Sequence, residues 1–221
     1  MSTITAFIFD LDGVITDTAE YHYLSWKRLA DEEGIPFTRE DNEALRGVSR
    51  RESLIRLLKG RTLPESTMQA WMTRKNDYYR TYLKQITPAD LLDGVADFLH
   101  AARAAGIKLG LGSASKNARD VLHGLQIEAL FDVIGDGNSV VRTKPAPDLF
   151  VWVAGALGAT PQQCVVFEDA EAGIEAAKTA GMHTVGIGAG ERLVMADIVL
   201  PSLANAQVDD LLQRFATYPS S

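Results

Sequence analysis

The feature that most constrains the fold is a regular alternation of helical patterns and short apolar runs from residue 95 to residue 187. Such alternation predicts a parallel sheet with helices on both faces, because parallel strands need crossover helices to connect them. The segment ADIVLP is a candidate edge strand, and residues 205–216 are a candidate closing helix. The predicted helices are 95–105, 117–125, 148–157 and 170–180, and the predicted strands are 107–112, 131–135, 164–167 and 184–187.

A helical block interrupts this α/β pattern near the start of the chain. The apolar run at residues 4–9 predicts a first buried strand, and the segment from 17 to 85 then contains helical patterns and no strand pattern. Asp17, with Glu20 three residues later, predicts a capping box at the first of these helices, and Gly34 predicts its end. The helical block is therefore an insertion, joined to the core by two chain crossings that can act as a hinge. We predict a core domain of residues 1–14 and 92–221 and a helical cap domain of residues 15–91.

Composition limits the compartment and the partners of the chain. Of its 221 residues 46% are hydrophobic, which suffices for one core and a smaller satellite domain. A net charge of −7 argues against a protein that follows a nucleic-acid backbone. Cys164 is the only cysteine, so no internal disulfide can form. No apolar run approaches the roughly 20 residues that cross a bilayer, and no secretory signal is evident. We expect a cytoplasmic monomer without nucleic-acid or membrane partners.

Polar side chains of a few types follow four of the predicted strands. They are Asp10 and Asp12 after the first strand, Ser113 after the second, Lys144 after the third, and Glu168 and Asp169 after the fourth. One such residue alone is typical of a turn or a helix cap. Four of them favour a site, because ligands bind outside the carboxyl ends of parallel strands. Clustered carboxylates repel one another unless a cation joins them, and a hard divalent ion such as Mg²⁺ takes oxygen ligands.

These residue types suit phosphoryl transfer. Asp10 can attack phosphorus as a carboxylate and form an aspartyl phosphate, which divides one transfer into two easier steps. Mg²⁺, the Lys144 ammonium and the Ser113 hydroxyl can neutralise the transferring group. Asp12 can protonate the leaving oxygen and take the proton from the incoming hydroxyl.

Four ordered segments resemble the motifs of the haloacid dehalogenase superfamily phosphotransferases: FDLDGVITDT, GSAS, KPAPD and FEDAEAG. The resemblance covers nearly the whole chain and implies a Rossmann-like parallel sheet with an inserted α-helical cap. It also implies that Asp10 is the nucleophile and Asp12 the general acid and base. The implied metal ligands are Asp10, the main-chain carbonyl of Asp12, Glu168 and Asp169.

Within that superfamily the chain resembles the β-phosphoglucomutase family on TDTAEYHYLSW, RGVSRRESL, RKND, TPAD and SASKN. That family interconverts β-glucose 1-phosphate and glucose 6-phosphate through β-glucose 1,6-bisphosphate. The resemblance implies that the transferring phosphoryl group contacts Ser113, Ala114 and Lys144. It implies a second phosphate site at Arg50, Ser115, Lys116 and Asn117. The implied substrate-binding residues of the cap are His22, Trp26, Gly47, Val48, Ser49, Ser53 and Lys75.

Other interpretations of these residues compete with this one. His22 and Trp26, four residues apart on one helix, also fit simple core packing, and Arg50 and Lys75 also fit a solvated face. A Mg²⁺-dependent sugar-phosphate phosphatase on the same scaffold is the main alternative function. Hydrolysis does not require the second anion site that Arg50 and the SASKN segment supply, so the mutase is favoured. A signalling receiver domain uses similar residues, but its phosphoacceptor follows a middle strand and no large helical insertion is expected there.

Overall fold

Six strands form one parallel sheet in the computed structural model, which describes residues 3–45 and 48–217. The strands are β1 (Ala6–Phe9), β2 (Lys108–Gly112), β3 (Val133–Gly135), β4 (Cys164–Glu168), β5 (His183–Ile187) and β6 (Ile198–Leu200). Their order is β3-β2-β1-β4-β5-β6, and all five neighbouring pairs are parallel. The predicted fold class is therefore confirmed, and the segment ADIVLP contributes the edge strand β6.

Helices cover both faces of the sheet, as the alternating pattern predicts. The α-helices of the described chain outside the inserted block are α5 (Val95–Ala104), α6 (Ala118–Gly124), α7 (Asp148–Leu157), α8 (Glu171–Thr179) and α9 (Val208–Ala216). Phe7 and Phe9 of β1 pack in one apolar layer with α5, α6 and α9. Ala6 and Ile8 of the same strand pack in a second layer with α7 and α8. Alternate side chains of a strand point to opposite faces, so the central strand is buried on both sides.

The inserted block is helical and has an apolar core of its own. Its helices are α1 (Ala19–Glu32), α2 (Arg39–Glu43), α3 (Arg50–Leu57) and α4 (Glu65–Leu83). Trp26, Leu29, Leu54 and Met68 are among the buried residues of this core. The two chain crossings run side by side, because the Leu92 N–H donates to the Ile15 carbonyl at 3.0 Å. The boundaries 15–91 for the cap and 1–14 with 92–221 for the core remain a prediction.

The predicted capping box at the start of α1 is wrong. Asp17 accepts a hydrogen bond from the Ala19 N–H at 2.9 Å, but Glu20 turns away to pair with Arg39, and Thr18 makes no side-chain cap bond. The Thr18 hydroxyl instead donates a hydrogen bond to Asp12 of the core. The other predicted elements are present, and the ends of most of them differ from the prediction by one to three residues.

Among the described residues, no helix has the length and apolar character that crossing a membrane would require.

Candidate active site

Three acidic side chains meet at the carboxyl ends of two neighbouring strands. Asp10 follows β1, Glu168 ends β4 and Asp169 follows it, and Phe9 is in register with Phe167 across the two strands. Carboxylate oxygens of the three residues lie within 4.8 Å of one another. The side chains of three predicted metal ligands therefore converge, whereas the predicted contribution of Asp12 is its main-chain carbonyl and remains a prediction.

Lys144 neutralises part of this acidic cluster. Its Nζ donates to Asp10 Oδ1 at 2.6 Å and to Glu168 Oε2 at 2.7 Å, and the side chain is fully buried. Burial disfavours the ammonium, but the two carboxylates outweigh burial and raise the pKa of Lys144 above its usual value. Lys144 is therefore a permanent positive charge beside Asp10.

The cluster has the donor set and the charge of a divalent metal site. Burial, followed by the charge of Asp10, raises the pKa of Glu168 well above its usual range, although Lys144 opposes this. Carboxylate oxygens are the ligands that Mg²⁺ and Ca²⁺ prefer. A cation bound here would offset the repulsion that remains after Lys144, so the residues fit a metal ion.

Two glycines make room for the acidic side chains. Gly13 has a φ of +82°, and a Cβ atom at this position would overlap the Asp169 carboxylate. Gly173 lies on α8, and a Cβ atom there would overlap the Glu168 carboxylate. The close approach of backbone to carboxylate therefore depends on the absence of a side chain at both positions.

Asp12 is held by Thr18, which lies in the first chain crossing. The Thr18 hydroxyl donates to Asp12 Oδ1 and also lies 3.0 Å from the Tyr79 hydroxyl. Burial and then the charge of Asp10 raise the pKa of Asp12 to about 6, while the Thr18 bond opposes the shift. A carboxyl with a pKa near neutrality can both give and take a proton. Thr18 and Tyr79 had no predicted role, although Thr18 lies within both FDLDGVITDT and TDTAEYHYLSW.

The loop after β2 is built to present hydroxyl and N–H groups. Ser113 is buried, its N–H donates to the Gly135 carbonyl at 3.1 Å, and its Oγ accepts from the Ser115 N–H at 3.1 Å. Ser115 Oγ accepts in turn from the Asn117 N–H at 3.2 Å. These bonds fix the turn that leads into α6. The Gly137 N–H donates to the Ser115 carbonyl at 3.1 Å, so the following loop supports the same turn.

Buried Lys75 and half-buried His22 form a polar pair on the cap side of the site. Lys75 Nζ lies 2.9 Å from His22 Nδ1 and 5.1 Å from the centre of the Trp26 ring. Burial is the largest cause that lowers the pKa of both residues, and neighbouring cations, including Arg50, lower it further. Lys75 is only 2% exposed, so the alternative of a solvated face is wrong for it.

A cavity of about 580 Å³ lies between the cap and the carboxyl ends of the strands. The predicted site residues that line it are Asp10, Asp12, His22, Trp26, Val48, Ser49, Arg50, Ser53, Lys75, Ser113, Ala114, Ser115, Lys116 and Asp169. Trp26 packs in the cap core and also lines the cavity, so the core-packing interpretation and the site interpretation are compatible for this residue. Asn117, Lys144 and Glu168 are not among the lining residues, and Gly47 lies outside the described residues.

Sequence reasoning missed part of the cavity wall. Additional lining residues are Asn42, Leu45, Gln69 and Met72 from the cap and Gly137, Asn138, Val140, Val141 and Thr143 from the core. The core residues lie in the loop after β3, GDGNSVVRT, which matches no motif with a known role. Asn42, Gln69 and Met72 lie on cap helices, and Leu45 lies in the turn after α2. The apolar patterns of these segments predict burial but do not distinguish a core from a cavity wall.

The comparisons with known proteins agree with this geometry. The sequence model of the haloacid dehalogenase-like hydrolase family matches residues 4–181. The chain is 42% identical over 217 residues to a β-phosphoglucomutase of Bacillus subtilis (strain 168), with 96% of each chain covered. It is 33% identical over 184 residues to a fructose-1-phosphate phosphatase of Escherichia coli (strain K12), covering 81% of this chain and 94% of that relative.

A comparison with solved structures also finds similarity to a β-phosphoglucomutase. The crystal structure of β-phosphoglucomutase from Clostridium difficile matches with a TM-score of 0.94 and 41% identity, covering 97% of this chain and 98% of that one. The likeness thus extends through the sheet and the inserted cap alike. The chain therefore belongs to the haloacid dehalogenase-like hydrolase family and, within it, to the β-phosphoglucomutases.

Proposed function

We propose that this protein interconverts β-D-glucose 1-phosphate and D-glucose 6-phosphate through an aspartyl phosphate and a β-glucose 1,6-bisphosphate intermediate. One observation carries the proposal most directly. Asp10 and Asp12 face the same cavity as Arg50 and Lys116, so groups suited to transfer one phosphoryl group share a space with cations suited to hold another. A mutase that passes through a bisphosphate needs both kinds of group at once.

Asp10 is the proposed nucleophile. Its carboxylate oxygen attacks phosphorus, the bond between phosphorus and the leaving oxygen breaks, and an acyl phosphate forms. Lys144 holds the Asp10 carboxylate at 2.6 Å and stabilises negative charge on the transferring oxygens, to which Ser113 and Ala114 also donate. Mg²⁺ bound by Asp10, Glu168, Asp169 and the Asp12 carbonyl would neutralise further charge on the transferring group.

Asp12 is the proposed general acid and base. In the first step it protonates the leaving oxygen, and in the second it takes the proton from the sugar hydroxyl that attacks the aspartyl phosphate. Its pKa of about 6 suits both directions near neutral pH. The Thr18 hydroxyl fixes the orientation of the carboxyl group.

The second phosphate site belongs to both halves of the molecule. Arg50 comes from the cap, and Ser115, Lys116 and Asn117 come from the loop before α6. A guanidinium offers a planar set of donors that matches a phosphate. The bisphosphate can present either phosphoryl group to Asp10 while the other occupies this site. The proposed sugar pocket comprises His22, Trp26, Gly47, Val48, Ser49, Ser53 and Lys75.

The test is a panel of α- and β-hexose 1-phosphates with Mg²⁺ and trace bisphosphate, in which isomerised product and free phosphate are measured separately. We expect β-glucose 1-phosphate to isomerise with little free phosphate. Asp10→Asn should abolish turnover without loss of fold, because an amide cannot form the acyl phosphate. Ordinary turnover in a pure Asp10→Asn sample would remove Asp10 as the nucleophile.

A phosphatase is the alternative, and the Escherichia coli relative is named for that activity. Release of free phosphate as the main product from every sugar phosphate would favour it. The proposal also includes Mg²⁺ as the metal ion, a monomeric state and a cytoplasmic location. Metal exchange after chelation, light scattering and cell fractionation test these three points.

A further inference from the structure

The Asn76 side chain on α4 joins the cap to the core. Its Oδ1 accepts a hydrogen bond from Arg50 Nη2 at 2.7 Å and another from Asn117 Nδ2 at 2.8 Å. Arg50 begins α3 in the cap, and Asn117 precedes α6 in the core. One amide oxygen therefore ties together two groups that belong to the proposed second phosphate site.

The orientation of this amide follows from its partners. A guanidinium has five N–H donors and no acceptor, so the Asn76 atom that faces Arg50 must be the oxygen. The same oxygen then requires a donor from Asn117, which its Nδ2 provides. Arg50 commits one donor to Asn76 in these contacts, which leaves other N–H groups for an anion.

Within residues 3–45 and 48–217, two ion pairs join the cap to the core, and both are weaker links. Arg80 and Asp120 lie 3.7 Å apart, Arg192 and Glu43 lie 3.6 Å apart, and every one of these side chains is more than half exposed. Exposed pairs of this kind contribute little, because water screens them. The Asn76 bridge is partly buried and involves a charged donor, so it has more effect on how the two halves meet.

We propose that Asn76 is a positioning residue that assembles the second phosphate site only when the cap meets the core. It thereby selects sugar phosphates that carry another phosphoryl group remote from Asp10. The neutral amide holds Arg50 without forming an ion pair, so the positive charge of Arg50 remains available to the ligand. This inference rests on the proposed function for the identity of the ligand, but not for the bridge.

Two variants distinguish the hydrogen-bonding role of Asn76 from the effect of its neutral charge. Asn76→Ala removes the shared acceptor, so Arg50 and Asn117 lose their common anchor. Asn76→Asp keeps an acceptor oxygen but adds a negative charge beside the anion site. Thr81→Ala is the matched control, because Thr81 lies exposed on the same helix and its hydroxyl bonds only within that helix, to the Asp77 carbonyl.

The first measurement compares two reactions, mutase turnover of a sugar phosphate and phosphorylation of the enzyme by a small donor. For Asn76→Ala we expect kcat/KM for mutase turnover of β-glucose 1-phosphate to fall about 10- to 100-fold. Phosphorylation of the enzyme by acetyl phosphate, which has no distal phosphate, should change by less than about threefold. Asn76→Asp should mainly raise KM for the sugar phosphates, and Thr81→Ala should match the wild type. Equal losses in both reactions would reduce Asn76 to a structural residue and overturn the proposal.

A double-mutant cycle with Asn117→Ala tests the coupling itself. If the two amides act through one bridge, the double variant loses much less than the product of the two single losses. Losses that multiply would mean that Asn76 and Asn117 act independently, and the proposal would fail.

Binding measurements keep this inference distinct from the proposed function. In an Asp10→Asn background without turnover, we compare by calorimetry the affinities for glucose 1,6-bisphosphate and for acetyl phosphate, which has no distal phosphate. We expect a preference for the bisphosphate that Asn76→Ala reduces at least about tenfold. If the wild type fails to isomerise glucose phosphates, the Asp10→Asn background can still show this preference and its loss in Asn76→Ala. That result would refute the mutase and leave the inference standing. An unchanged preference in Asn76→Ala would overturn the inference even if the mutase is confirmed.

Discussion

At the scale of single residues, Lys75 shows how the site departs from what stability alone would select. Its ammonium is buried beside His22 and over the Tyr79 ring, with 4.6 Å between Nζ and the ring centre. Burial and then the charge of Arg50 lower its pKa well below the usual 10.5. A lowered lysine pKa means that the folded state disfavours the charge, so this residue destabilises the fold at neutral pH.

We therefore predict that Lys75→Met raises the free energy of unfolding at pH 7 by about 1 kcal/mol while mutase activity falls. The unfolded chain keeps the lysine proton up to about pH 10.5, whereas the folded chain loses it earlier. Wild-type stability should consequently rise with pH across this window, and the advantage of the variant should shrink. Denaturant unfolding at pH 7 and pH 9.5 measures both effects.

Lys84→Met is the control for this prediction, because Lys84 is exposed at the end of the same helix. It should leave both stability and activity close to those of the wild type. A Lys75→Met protein that is less stable than the wild type at both pH values would show that Lys75 stabilises the fold.

At the scale of elements, the sequence predicted α7 with its observed bounds, Asp148–Leu157, and missed the start of α1. The apolar pattern of α7 decides its ends locally, and Gly158 adopts the left-handed conformation that follows a helix. The prediction for the start of α1 was wrong because the Glu20 carboxylate pairs with Arg39, which is distant in the sequence. Local capping rules hold only where no longer-range contact competes for the same side chain.

The helix α8 supplies a prediction about the metal site. Gly173 faces the Glu168 carboxylate so closely that a Cβ atom would displace it. We expect Gly173→Ala to raise the Mg²⁺ concentration for half-maximal activity about 10- to 100-fold, because a displaced carboxylate is a poorer ligand. Magnesium titration of turnover and calorimetric binding of Mg²⁺ test this.

Gly155→Ala on α7 is the matched control. A Cβ atom at Gly155 would meet nothing within 4 Å, so this substitution adds only helix propensity and leaves magnesium dependence unchanged. If Gly173→Ala binds Mg²⁺ as the wild type does, Glu168 does not depend on this glycine or is not a ligand.

At the scale of the whole molecule, the site is formed by two units that are remote in sequence. The strand-end residues could be predicted because a parallel sheet brings successive strand ends to one edge. The Arg50, Asn76 and Asn117 contact could not, because it depends on where the cap rests on the core, and no local pattern encodes that distance. The sequence therefore allowed a good prediction of the residue types in the site, but not of the residue pairs that contact each other.

The proposed second phosphate site would set the balance between mutase and phosphatase activity. If Arg50 grips the phosphate that is not being transferred, its binding energy helps to hold the cap over Asp10 and to exclude water. We predict that Arg50→Ala lowers mutase turnover by orders of magnitude, since loss of a charge-assisted, partly buried contact removes about 2 to 4 kcal/mol of transition-state stabilisation. Water needs no distal anchor, so hydrolysis of the aspartyl phosphate should fall far less.

The ratio of free phosphate to isomerised sugar phosphate should therefore rise in Arg50→Ala even as total throughput falls. Arg50→Lys should recover only part of the loss, because a point charge replaces a planar set of donors. The control is Arg56→Ala, which removes an arginine of the same helix that pairs with Glu52 at the surface. Both products are measured from β-glucose 1-phosphate with bisphosphate primer and saturating Mg²⁺. An unchanged mutase rate and product ratio in Arg50→Ala would contradict the second phosphate site, and the phosphatase would then be the better account of this cavity.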